Sequence, residues 1–181
     1  MTRARGATIQ VMNKPTLTKA LAALLAAGAL AACSPKFDWR DFRSTDAPYA
    51  IMLPGKAATH TRAVNLDGQE VKMTMSAAEV DGTMFAVGTA ELPDAAKAAQ
   101  AVQAMKLAMV RNIGGTIIKE GTKDGAFEVE ARGVAPNGAP LAMHGRFLAK
   151  DKRVYQVVML GNQKHFDADT VDTFLSSFKL Y

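Results

Sequence analysis

The chain of 181 residues carries 22 lysines and arginines against 17 aspartates and glutamates, a formal charge of +5 with an isoelectric point near 9.4. Four of the basic residues (Arg3, Arg5, Lys14 and Lys19) precede Cys33, where no acid lies, so the balance after Cys33 is 18 basic to 17 acidic residues with the signs interspersed. That near-neutral remainder has no basic run, which removes the electrostatic ground for nucleic-acid binding, and its length suits one domain with a core of ordinary size.

Taken in order, the chain begins with a positively charged stretch, then Ala20 to Ala32 without a polar residue, then Cys33 and Ser34. Charge, a short apolar run and small residues before a cut make a secretory signal. The run is about a dozen residues, whereas a bilayer span needs ~20. Met12-Asn13-Lys14 would open a compact signal by itself, so Met12 is the expected start. Leu30-Ala31-Ala32-Cys33 resembles the lipobox of bacterial lipoproteins. The resemblance implies cleavage before Cys33 and acylation of its sulfur and its new amine, giving an anchor of several acyl chains, as stable attachment requires. Ser34, rather than an aspartate, resembles the default signal for the outer membrane. The expected organisation is a cleaved signal peptide over 1–32, a lipid-anchored tether over 33–47 and one globular domain over 48–181.

The tether carries Phe37, Trp39 and Phe42 among Arg40, Arg43, Asp38 and Asp41. These aromatics either contact a partner or cap one end of the core, and burial gain favours the cap. Tyr49 to Leu53 reads as a short strand stopped by Pro54-Gly55, and Thr59 to Leu66 as an extended segment. Asp67-Gly68, Asp81-Gly82, Asp124-Gly125 and Asn137-Gly138 each separate strand-like runs, and these dipeptides tolerate the positive φ of hairpin turns. Val71, Met73, Met75 and Ala77 alternate with Lys72, Thr74 and Ser76, while Thr83 to Glu91 is apolar on both faces, as a central strand is. Pro93-Asp94 ends this meander. Asp94 is placed to cap a helix with Val102, Met105, Met109 and Ile113 on one stripe, closed by Gly114-Gly115. A second meander follows over 116–123, 126–135, 139–150 and 153–160. A last helix near 167–178 carries Val171, Phe174, Leu175 and Phe178 on one stripe, with Phe166 and Val171 at the positions of a hydrophobic staple. Strands, helix, strands, helix with hairpin turns throughout predict an α+β fold, an antiparallel β-sheet of hairpins packed with two main helices.

Two segments carry a resemblance to a domain family. Tyr49-Ala50-Ile51-Met52-Leu53-Pro54-Gly55-Lys56 is one; the other is Val154-Tyr155-Gln156-Val157-Val158 followed by Phe174-Leu175-Ser176-Ser177-Phe178-Lys179-Leu180. Together they resemble the PsbP/Mog1-like α/β sandwich, found in photosystem subunits, a Ran-binding factor and many bacterial lipoproteins. The resemblance spans most of the chain after Cys33, rests on packing motifs, and implies an adapter or assembly factor without a catalytic residue.

No H-E-x-x-H, no G-x-S-x-G and no phosphate-binding glycine loop is present, and His60, His144 and His165 do not fall at metal-ligand spacing. Soft thioethers suit Cu(I), but the methionines lie in predicted strands or on the helix, where they fill irregular core space. No metal or cofactor is expected beyond the covalent lipid on Cys33. One polar cluster follows from register. If Pro136-Asn137-Gly138 is a three-residue hairpin loop, Ala135 faces Ala139, Glu130 faces His144 and Glu128 faces Arg146. These four residues form either a charged surface site, with Glu130 raising the pKa of His144, or two ordinary cross-strand pairs. The expected function is that of a non-enzymatic outer-membrane lipoprotein facing the periplasm, bound to the membrane by its lipid and acting on an envelope protein partner. The alternative is a small-ligand binding module with a pocket between sheet and helix.

Overall fold

The computed structural model describes residues 36–181, of which Phe37–Tyr181 forms one compact unit. Ten strands and two helices follow one another: β1 (Arg40–Arg43), β2 (Tyr49–Leu53), β3 (Ala58–Leu66), β4 (Gln69–Val80), β5 (Thr83–Glu91), α1 (Ala95–Asn112), β6 (Thr116–Lys123), β7 (Ala126–Val134), β8 (Pro140–Lys150), β9 (Arg153–Asn162), α2 (Ala168–Ser176) and β10 (Lys179–Leu180). The fold is α+β. Seven strands form one antiparallel sheet in the order β3-β4-β5-β9-β8-β7-β6, and three form a small one in the order β1-β2-β10. The two meanders join through the antiparallel pairing of β5 with β9, from Met84↔Leu160 to Glu91↔Arg153.

The turns are formed by the residues that suit them. Asp67, Asp81 and Asp124 take φ of 52°, 51° and 49°, each followed by a glycine also at positive φ, the conformation of the tight hairpin turns that match strand twist. Asp94 caps α1, its Oδ1 accepting from the Lys97 N–H at 2.8 Å. The helix stops at Gly114, at φ 55°. There the Gly114 N–H donates to the Arg111 carbonyl and the Gly115 N–H to the Val110 carbonyl, which satisfies carbonyls the helix end would otherwise leave free. Asp167 caps α2 in the same way, accepting from the Thr170 N–H at 2.8 Å.

Strand alternation sends side chains to two cores. On one face Met73, Ala90, Met143, Phe147, Val154 and Val158 meet the buried stripe of α1, with Val102 and Met105 at its centre. On the other, Phe85, Val87, Tyr155, Val157 and Met159 meet Tyr49, Ile51 and Leu53 of β2 and Phe174 and Phe178 at the chain's end. Helix, large sheet, and small sheet with α2 thus form three layers.

Two expectations differ from this arrangement, and one feature of it has no counterpart in the sequence pattern. The stretch 33–47 was expected as a tether, but Arg40–Arg43 pairs with β2 from Arg40↔Leu53 to Arg43↔Ala50. The last helix was expected to reach Phe178, but it stops at Ser176, and Lys179–Leu180 pairs with β2 instead. β6 carries a register shift between Ile117 and Lys119, a bulge that leaves Ile118 half exposed. The first two follow from pairing with β2, which local pattern does not encode, and the third from an extra residue within the β6–β7 hairpin.

Candidate functional site

β7 shows how one strand serves two environments. Phe127, Val129 and Ala131 pack into the α1 core, so Glu128, Glu130 and Arg132 point to the opposite face. β8 repeats the pattern, with Met143 and Phe147 in the core and His144 and Arg146 opposite. The β7–β8 register brings the four predicted residues together as pairs, Glu128↔Arg146 and Glu130↔His144. The Ala135 N–H donates to the Ala139 carbonyl at 2.8 Å and closes the loop at Pro136-Asn137-Gly138. β6 adds Lys119 opposite Glu130 and Gly121 opposite Glu128.

This charged floor lies under α2 without being filled by it. A cleft of ≈ 540 Å³ opens between them, walled by Phe166, Val171 and Leu175 and floored by Lys119, Gly121, Glu128, Glu130, His144 and Arg146. Gly121 is the open spot: a Cβ added there would meet nothing within 4 Å. Arg132 lies at one end, where the Gln163 amide oxygen, turned to accept, lies 3.2 and 3.3 Å from its two terminal nitrogens. Among the described residues no carboxylate lies within salt-bridge distance of Lys119 or Arg132. On the outer wall Asp172 faces both this cleft and a second groove on the other flank of α2, lined by Asp41, Arg43 and Lys179.

Two contacts hold α2 over the floor. The Arg146 guanidinium donates through NH1 to the carbonyl of Leu175 at 3.3 Å, at the helix end where a cation is favoured. Its Nε is 3.3 Å from Glu128 Oε1 but is not aligned for a hydrogen bond, so that pair is Coulombic. At the other end of α2 the Phe166 ring lies over His144, centroids 5.4 Å apart and planes 32° from parallel. Arg146 and Phe166 are therefore positioning residues, and the sequence pattern gave Phe166 only its staple role.

The electrostatics of His144 correct one expectation. Glu130 Oε1 is 3.8 Å from His144 Nε2 and does pull the imidazole pKa upward, but burial against Phe166 and the sheet outweighs it. Lys119 and Arg132 push in the same direction as burial, so the pKa falls below the ordinary histidine value. The ring stays neutral near pH 7 and offers one donor and one acceptor to the cleft.

The other sequence candidates lie elsewhere. Phe37, Trp39 and Phe42 are half-buried: Phe37 and Trp39 sit 5.9 and 6.0 Å from the Phe85 ring, and Phe42 sits 6.2 Å from Tyr49. They close the second core and do not form a displayed aromatic patch. Cys33 and the lipobox-like Leu30-Ala31-Ala32 before it lie outside the described residues. Among the described residues no helix is long and apolar enough to cross a membrane, and no group of three or more His, Cys, Asp or Glu residues is placed to hold a metal. Lys119, Gly121, Arg132 and Asp172 escaped the sequence reading. The bulge in β6 sets the position of the first two, and the seating of α2 brings in Asp172. No protein-family model matches the chain, and no curated protein matches it significantly.

Proposed function

We propose that this protein is a non-enzymatic lipoprotein of the cell envelope, with a PsbP/Mog1-like domain held at the outer membrane by acyl chains on Cys33, and that the domain binds a small ligand of mixed charge in the cleft beneath α2. The cleft carries the proposal. Its ≈ 540 Å³ falls inside the range of about 300–1,000 Å³ typical of small-molecule sites. It has what such sites share, an apolar wall with a few convergent polar groups. Charges of both signs alternate along its floor, so it suits a ligand that carries donors and acceptors together rather than a plain lipid tail. The protein-partner role, first among the sequence expectations, is placed second here for a specific reason. An adapter needs an exposed apolar or aromatic patch, and the Trp39 ring, the candidate for it, is packed against Phe85.

The anchor and the ligand are tested separately. Palmitate label is expected on the wild-type chain in a bacterial envelope and not on Cys33→Ser; label retained by the variant contradicts the anchor. Denaturing protein extracted from that envelope is expected to release one small molecule in equimolar amount, absent from an extract of cells lacking the protein. No such molecule would defeat the binding role.

A further inference from the structure

The seven-stranded sheet is open, and its two edges are built differently. β6 is guarded by devices that blunt strand-to-strand association: a bulge at Ile117/Lys119, and charges of both signs at Lys119, Glu120 and Lys123. β3 has no bulge, and Arg62 is its one formally charged residue. Its nine residues pair with β4 without a register shift, from Ala58↔Ala77 to Leu66↔Gln69, and Ala58 to Ala63 are all exposed. It contains no proline and no lysine. The Thr59 hydroxyl bonds Ser76 at 3.0 Å and the Thr61 hydroxyl bonds Thr74 at 2.9 Å, so the strand is tied to its neighbour by side chains as well as backbone, with its other edge unpaired by any strand. Such a preorganised edge loses little freedom when another strand joins it.

We infer that β3 is a docking edge for an extended segment of a partner protein that carries carboxylates at alternate positions. The charge pattern selects this occupant. From Ala58 to Val64 there is no carboxylate on β3 or opposite it on β4, whose facing residues there run from Ala77 to Val71 and include Lys72. His60 and Arg62 share one face of the strand, and Arg62 has no carboxylate within salt-bridge distance among the described residues. A partner strand with acids two residues apart sets one opposite Arg62, where opposite charges stabilise the ladder and like charges oppose it, and one opposite His60, whose ring can donate a hydrogen bond to it. A second copy of the chain fits less well. Full-length antiparallel self-pairing about a two-fold axis centres on Arg62 and sets the two guanidinium groups against each other. Main-chain bonds would supply affinity and alternate side chains specificity, as in strand-addition complexes generally.

The test uses the full chain in detergent micelles and two synthetic ten-residue peptides, one alternating Thr and Glu, the other alternating Thr and Lys. Amide hydrogen exchange is read over β3 and β6. At ten times its dissociation constant the Thr-Glu peptide is expected to slow exchange across β3 by about tenfold and to leave β6 unchanged. The Thr-Lys peptide is expected to have no effect, and exposed Arg62→Glu to reverse the preference. Gly121→Leu, which narrows the cleft, is expected to leave the protection intact, so this result is independent of the ligand site. Equal protection by both peptides, protection only at β6, none at all, or protection that grows with protein concentration in the absence of peptide would each overturn the inference, the last by showing self-pairing instead.

Discussion

One face of the large sheet is divided between two regions under the same helix. Over β5 and β9 it is dry: Phe85 and Phe174 meet edge to face at 5.3 Å, and Tyr155 lies 6.2 Å from Tyr49 and 5.8 Å from Phe178. Over β6, β7 and β8 it is charged, and α2 stops short of it. The apolar half contributes most of the stability of that layer. The charged half contributes little and is held open, since Arg146 and Phe166 support the helix without filling the space below it. Polar residues on a sheet face that the fold could have closed point to a role outside packing.

The largest expected effect comes from breaking the dry half. Phe85→Ala or Phe174→Ala empties a fully buried aromatic site and should lower unfolding free energy by about 3–5 kcal/mol, read from urea denaturation. Lys106 tests the boundary on the α1 side. Its ammonium is buried, ion-paired with Glu120 and 4.9 Å above the Phe127 ring. Glu120→Gln removes its charge partner and should cost about 1–3 kcal/mol; the pairing is partly exposed at Glu120, which keeps the cost below that of a fully buried pair. In the cleft the same kind of change should scarcely register. Glu130→Gln and Glu128→Gln are expected to cost under about 1 kcal/mol while weakening ligand retention, so a large stability loss there would make the pairs structural.

A smaller effect distinguishes the halves by pH. The His144 pKa is lowered in the folded protein by burial, with Lys119 and Arg132 adding to it and Glu130 opposing. Folding therefore favours the neutral ring. This contribution is present above the unfolded histidine pKa of about 6.5 and is lost as pH falls through the folded value. The urea midpoint should drop on acidification from neutral pH, less steeply in His144→Gln than in the wild type.

Much of this arrangement is written in local pattern. The Asp-Gly pairs mark three hairpins, Asp94 and Asp167 mark two helix starts, and the alternation of Phe127, Val129 and Ala131 with Glu128, Glu130 and Arg132 assigns the faces of β7. With the loop at Asn137-Gly138 fixed, the Glu130–His144 and Glu128–Arg146 pairs follow by counting. What pattern does not carry is contact between remote segments. Arg40–Arg43 has no strand signature and becomes a strand because β2 offers it an edge. Lys119 reaches the cleft only because the bulge shifts its register, and the direction of the His144 shift is set by how deeply the folded chain buries the ring. An acid opposite a histidine suggests a raised pKa; burial of the ring reverses it.

Gly121 offers the most direct test of the cleft. A leucine there occupies open space, in a backbone conformation that glycine is not needed to reach, so stability should be unchanged while the ligand space is narrowed. Native mass spectrometry of wild type and Gly121→Leu, extracted side by side from the same envelope, should show one bound small molecule on the wild type and none on the variant. Equal occupancy of the two, or an empty wild type, would contradict the account.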